Sequence, residues 1–114
     1  MERPEIKKQD GATTIDVVVN LNHGVIARSS VRLVEECKTF AEGAYKAYLV
    51  NPSGAEYDCK SSLEILLARP VKGAKFTIKV LGEDKLAEQL ALRIYSALTS
   101  ENSFSMDFYR FENG

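Results

Sequence analysis

A chain of 114 residues is one domain's worth, long enough to bury a core and too short for two. Its 15 Lys and Arg stand against 16 Asp and Glu, so no net field draws it to nucleic acid or an anionic membrane, and neither is expected as a partner. The apolar runs fall far short of the roughly 20 residues that span a bilayer. The start, Met-Glu-Arg-Pro-Glu-Ile-Lys-Lys, has no apolar signal region, so a cytoplasmic protein is expected.

Residues 1–12 are polar and read as a loose N-terminal lead-in. Residues 13–20 alternate around Ile15, Val17 and Val19, the period of a half-buried strand. From Ala27 to Glu42, Val31, Leu33, Val34, Cys37, Phe40 and Ala41 recur at helical spacing, and Gly43 supplies a stop. Residues 44–50 and 55–60 flank the turn cluster Asn51-Pro52-Ser53-Gly54 and predict a hairpin. Ser61-Ser62-Leu63-Glu64 is a Ser-x-x-Glu capping box that starts a helix, a short one because Pro70 and Gly73 follow. Phe76, Ile78 and Val80 alternate in a strand over 75–81. Glu83 and Asp84 then place negative charge at the positive end of a helix patterned by Leu86, Leu90, Ile94, Ala97 and Leu98.

The order strand, helix, strand, strand, helix, strand, helix predicts an α+β domain over 13–100, with helices layered on one face of a mainly antiparallel sheet. Residues 101–114 form an extension with four aromatics in the eight residues from Phe104, too aromatic for a solvated tail. It is expected to dock on its own domain as an extra strand, or on a partner. Cys37 and Cys59 fall on the first helix and the second hairpin strand, in neither a Cys-x-x-Cys nor a Cys-His spacing, and read as free, partly buried thiols.

Gly24-Val25-Ile26-Ala27-Arg28-Ser29, where the first strand hands over to the first helix, resembles the active-site loop Gly-Leu-His-Ala-Arg-Pro of the HPr phosphocarrier family of the sugar phosphotransferase system. Residues 33–40 resemble that family's first helix, Cys59-Lys60-Ser61-Ser62-Leu63-Glu64-Ile65-Leu66 the start of its second, and Gly82-Glu83-Asp84 the approach to its last. The resemblance covers roughly residues 13–100 and implies an open-faced β-sandwich. It departs at Asn51-Pro52-Ser53-Gly54, at the tail, and at one decisive position. In the family a His in this loop carries a phosphoryl group that the following Arg and the helix N-terminus hold. That position is Ile26, and an aliphatic side chain accepts no phosphoryl group, so no catalytic residue and no enzymatic activity are expected.

Arg28, with the amides of Ala27 and Ser29 at the helix start, is the candidate phosphate-binding set, since a guanidinium and free helix amides both pair with anions. His23 is the only imidazole and the fallback phosphoryl acceptor. With a single His and no Cys cluster, no metal site is expected, and no motif asks for a cofactor. Ser61 resembles the serine that a dedicated kinase modifies in Gram-positive members of the family, with Ser62 as the neighbouring register; as a helix cap, Ser61 is also fully explained by structure alone. The resemblance places the partner surface on the first two helices, at Val31, Leu63 and Leu66, with Ser62 and Glu64 departing from the family's pattern there. The leading expectation is a regulatory or adaptor protein related to the phosphotransferase system, switched through serine phosphorylation. Its expected partners are phosphotransferase-system enzymes, a serine kinase or a transcriptional regulator. A divergent phosphocarrier using His23 and a constitutive protein-interaction module are the alternatives, and a monomer or weak homodimer is expected.

Overall fold

The computed structural model describes residues 3–100, and the aromatic extension, predicted to dock, lies outside the described residues. Five strands form one sheet in the order β1-β2-β5-β3-β4, with every neighbouring pair antiparallel. They are β1 Lys7–Gln9, β2 Ala12–Val18, β3 Ala47–Val50, β4 Glu56–Asp58 and β5 Lys75–Leu81. The helices are α1 Ala27–Thr39, α2 Ser62–Ala68 and α3 Lys85–Thr99, with a one-turn 3-10 segment, Phe40–Gly43, after α1. The α+β architecture predicted from the pattern is the observed one.

Strand alternation sorts the two faces. Ile15 and Val17 of β2, Ala47 and Leu49 of β3, and Phe76, Ile78 and Val80 of β5 are buried in one cluster with Leu33, Val34 and Cys37 of α1, Ile65 of α2, and Leu90, Ile94 and Leu98 of α3. Asp16 and Val18 point the other way, into solvent. Fully burying each large aliphatic side chain here contributes about 1.5–3 kcal/mol. The central β2–β5 pairing joins residues about 60 apart in sequence, from Ala12 opposite Leu81 to Val18 opposite Lys75.

Four details depart from the sequence reading. The lead-in is not loose throughout. Lys7–Gln9 pair with Ala12–Thr14 across Asp10-Gly11, both at positive φ (55° and 77°), the primed-turn geometry that an Asp-Gly pair favours. All three β1 residues are exposed, and its two lysines suit an edge strand that must not recruit another chain. α1 stops at Thr39 rather than Glu42, because Ala41 and Glu42 turn left-handed (φ 50° and 59°) and Gly43 follows at φ 76°. Val31 and Leu86, placed on helix core faces by spacing, are 52% and 44% exposed, while Ala87 and Ala91 fill the close approach of α3 to the sheet. Finally, Cys59 sits in the turn after β4, not in the strand.

Cys37 and Cys59 are free and fully buried rather than partly so, and their thiols are close enough for one to influence the ionisation of the other. The neighbouring Cys37 thiol first, and burial second, push the Cys59 thiol well above its ordinary pKa. In the unfolded chain the thiol ionises at its ordinary value, whereas the folded protein keeps its proton to higher pH. Stability is therefore expected to be intact below the ordinary thiol pKa and to fall as pH rises from there through the folded value. Alkaline thermal melts of wild type and Cys59→Ala check this: the slope above the thiol range should be shallower in the variant. The same burial predicts that a thiol reagent labels neither cysteine until the protein unfolds.

Candidate functional site

The loop between β2 and α1 is pinned at both ends. Val19 donates its N–H to the Ala74 carbonyl and accepts from Gly73 N–H, both at 2.8 Å, and Asn20 N–H donates to the Leu98 carbonyl of α3 at 2.8 Å. Gly24 N–H returns to Leu21 O at 3.0 Å, closing a turn whose tip exposes Asn22 and His23. Gly24 has φ +64°, and a Cβ there would lie 2.7 Å from Pro70 O and 2.9 Å from Val71 Cα. Buried Val25 donates to Pro70 O at 3.0 Å, and the chain then presents Ile26, 54% exposed, as the N-cap of α1.

Isoleucine cannot cap. Ser29 Oγ accepts from Ile26 N–H at 2.9 Å, and Ser30 N–H donates the first helical bond to Ile26 O at 2.8 Å. Between them the amides of Ala27, Arg28 and Ser29 find no acceptor among the described residues, and the first turn holds no carboxylate. Arg28 is exposed and makes no ion pair among the described residues. Residues 27–29 thus form a solvent-facing group of donors with a cation beside them. His23 is exposed on the turn tip, with Gly24 and Val25 between it and the helix start.

At α2 the capping box is half realised. Ser61 Oγ accepts from Glu64 N–H at 3.2 Å as predicted, but Ser61 N–H goes to Asp58 O at 3.1 Å. The Glu64 carboxylate instead accepts from Asp58 N–H at 2.9 Å, tying α2 to the end of β4. Ser61 and Ser62 are half-buried, and the helix ends where Arg69 turns left-handed at φ 57°.

The predicted apolar surface is larger than the sequence reading had it. Leu63 (67% exposed) and Leu66 (38%) are joined by Leu67 (62%) one turn from Leu63, on the side of α2 away from buried Ile65. Val71, beyond the Arg69 turn, is 54% exposed, and the Val25–Pro70 bond brings its segment alongside Ile26. Val31 is exposed on α1. The Leu63–Leu67 spacing could have revealed the missed leucine, but Val71 and Ile26 join the face only through the loop contact. Elsewhere, an open groove lies between the ends of β2, β3 and β5 and Tyr95, lined by Asp16, Val18, Val50, Pro52 and Lys75, with no cluster of reactive groups. Among the described residues there is no group of three metal-ligating side chains and no helix long and apolar enough to cross a membrane.

An antiparallel sheet with its helices on one face, and a strand-to-helix loop that presents a helix N-terminus beside an apolar helix face, define an open-faced β-sandwich of the phosphocarrier type. The family model described as the PTS HPr component phosphorylation site matches residues 13–98, and the chain belongs to the HPr family. Among solved structures it is similar to the phosphocarrier protein HPr from Bacillus anthracis str. Ames, with a TM-score of 0.67 and 22% identity over 78% of this chain and 99% of that one. It is also similar to the histidine-containing phosphocarrier protein of a mycoplasma, with a TM-score of 0.58 and 18% identity over 76% of this chain and 98% of that one. No curated protein matches it in sequence.

Proposed function

We propose that this is an HPr-family protein without the phosphoryl-accepting histidine, acting in the cytoplasm as a regulatory or adaptor protein of the phosphotransferase system rather than as an enzyme. The observation that carries the reading is Ile26, exposed at the N-cap of α1 in the loop that bonds to Pro70, with Leu63, Leu66, Leu67 and Val71 exposed on α2 and just after it. Where the family's chemistry would need a nucleophile, this chain extends an apolar surface. Arg28 and the amides of Ala27 and Ser29 keep the capacity to bind a phosphate group that a partner presents. The partners proposed are phosphotransferase-system enzymes, a transcriptional regulator and a serine kinase.

The test is calorimetric titration of the purified general phosphotransferase enzyme and of sugar-specific enzyme components into this protein. Binding without phosphate transfer, weakened at least tenfold by Leu63→Glu, is the expected result, since a central apolar anchor is worth about 2 kcal/mol or more in an interface. Absence of binding to every such component would overturn the assignment to this system.

Phosphorylation of Ser61 is proposed as the switch. The hydroxyl that accepts from Glu64 N–H would become a dianion at a helix N-terminus, but next to the Glu64 carboxylate. The modification would therefore act by loosening the start of α2 and the Leu63 face. That proximity also favours a second reading, a constitutive interaction module whose Ser61 is only a cap. Ser61→Ala should lower stability by about 1 kcal/mol in thermal unfolding, as loss of a cap does. Intact-mass analysis after treatment with the serine kinase and ATP separates the readings, with phosphate on Ser61 or Ser62 supporting the switch.

A further inference from the structure

Ile26, Leu63, Leu67 and Val71 are exposed among the described residues, and α3 ends against the loop that leads to Ile26. Asn20, bonded through its N–H to Leu98 O, lies six residues before Ile26, a stretch that spans at most about 20 Å. The 14 residues beyond Ser100 start from that point. At about 3.3 Å per residue, Phe104 can lie up to about 13 Å from Ser100 and Phe108 up to about 26 Å, a length sufficient to span the distance to Ile26.

Composition fits as well. The extension carries Phe104, Met106, Phe108, Tyr109 and Phe111, and its Glu101, Asp107 and Glu112 outnumber Arg110. The face is edged by exposed Arg28 and Arg69, neither of which makes an ion pair among the described residues, and by Lys72. The acidic, aromatic composition of the extension thus complements exposed apolar side chains with basic neighbours. Large exposed apolar patches mark interaction sites.

We propose that residues 104–111 of this chain dock intramolecularly on the face formed by Ile26, Leu63, Leu67 and Val71. The consequence rests on the reading of this face as a partner surface: a partner must then displace a segment held nearby at millimolar effective concentration. The docking itself needs no partner, so the test contains none and fails separately from the functional reading.

The experiment compares methyl NMR spectra of the full chain with those of the full-length variant Phe104→Ser/Phe108→Ser/Phe111→Ser. Aromatic rings stacked on the face displace the methyl signals of Ile26, Leu63, Leu67 and Val71. Those displacements should vanish in the variant and return on addition of a peptide of residues 101–114. They should be unchanged on tenfold dilution of the wild type. A Leu67→Asp variant should lose the displacement at Leu63 and Val71 while its core methyls, such as those of Ile78, stay in place. Identical face signals in both full-length chains would overturn the proposal. So would displacement confined to Val18 and Val50 in the open groove, or displacement that dilutes away and thereby assigns the face to a second copy.

Discussion

Incubated with phosphoenolpyruvate and the general phosphotransferase enzyme, the protein is expected to keep its unmodified mass, an all-or-none difference from a histidine-bearing carrier. Isoleucine offers no lone pair to the transferred phosphorus, and no neighbouring group replaces it. His23 lies before the Gly24 turn, and Val25, which separates it from the helix start, is buried and fixed to Pro70 O at 3.0 Å. The surrounding parts are in place, however. The amides of residues 27–29, which find no acceptor among the described residues, and the exposed Arg28 guanidinium stand beside position 26. The Ile26→His variant is therefore expected to gain acid-labile phosphate, and the double variant Ile26→His/Arg28→Ala to gain much less, because the anion loses its charge-assisted partner. Site mapping by mass spectrometry reads both. Acid-labile phosphate on His23 of the wild type would overturn the regulatory reading in favour of a divergent carrier.

The largest stability effect of a single small substitution is expected at Gly24. Alanine there faces two costs at once: a left-handed backbone at φ +64°, and a Cβ driven to 2.7 Å from Pro70 O and 2.9 Å from Val71 Cα, both main-chain atoms. Left-handed strain alone costs on the order of 1–3 kcal/mol. With the forced backbone shift added, Gly24→Ala should lose about 3 kcal/mol or more, on the order of 15 °C in melting temperature for a domain of this size. Gly11→Ala is the control: it has φ +77°, but no atom lies within 4 Å of the added Cβ. It should cost only the strain, roughly 1 kcal/mol. Equal losses in the two variants would show that the loop is not clamped on the segment after α2. Because that clamp aligns Ile26 with Val71, Gly24→Ala should also weaken any partner that uses the apolar face.

Much of this was legible in the chain. The strand over residues 75–81 and the short helix begun by Ser61 and ended before Pro70 emerge as predicted, since alternation, a hydroxyl cap and a missing N–H are local causes with local effects. The β1 hairpin was legible too. Asp10-Gly11 is a strong turn pair, hidden only because the flanking residues lack apolar alternation. Other features had no local signal. Spacing alone put Val31 and Leu86 on core faces, but in the packed domain both stay largely exposed. Glu64 suits a reciprocal cap by sequence, yet its carboxylate finds Asp58 N–H because β4 ends within reach. Cys37 and Cys59 are 22 positions apart, and nothing along the chain indicates that they come together in the core.

The sequence by itself determined the chemistry at position 26, because no conformation gives isoleucine a nucleophile. It also determined the free helix start, since Ile26 cannot accept a capping hydrogen bond and the following turn brings no carboxylate. Only the tertiary structure decided what surrounds that position. The loop that presents Ile26 is held to the segment before Val71 by the Val25–Pro70 bond, and the end of α3 comes beside the loop through Asn20 and Leu98. These contacts join segments some 45 to 80 residues apart, and they exist because burying one shared core brings those segments together, which no local pattern of residues encodes.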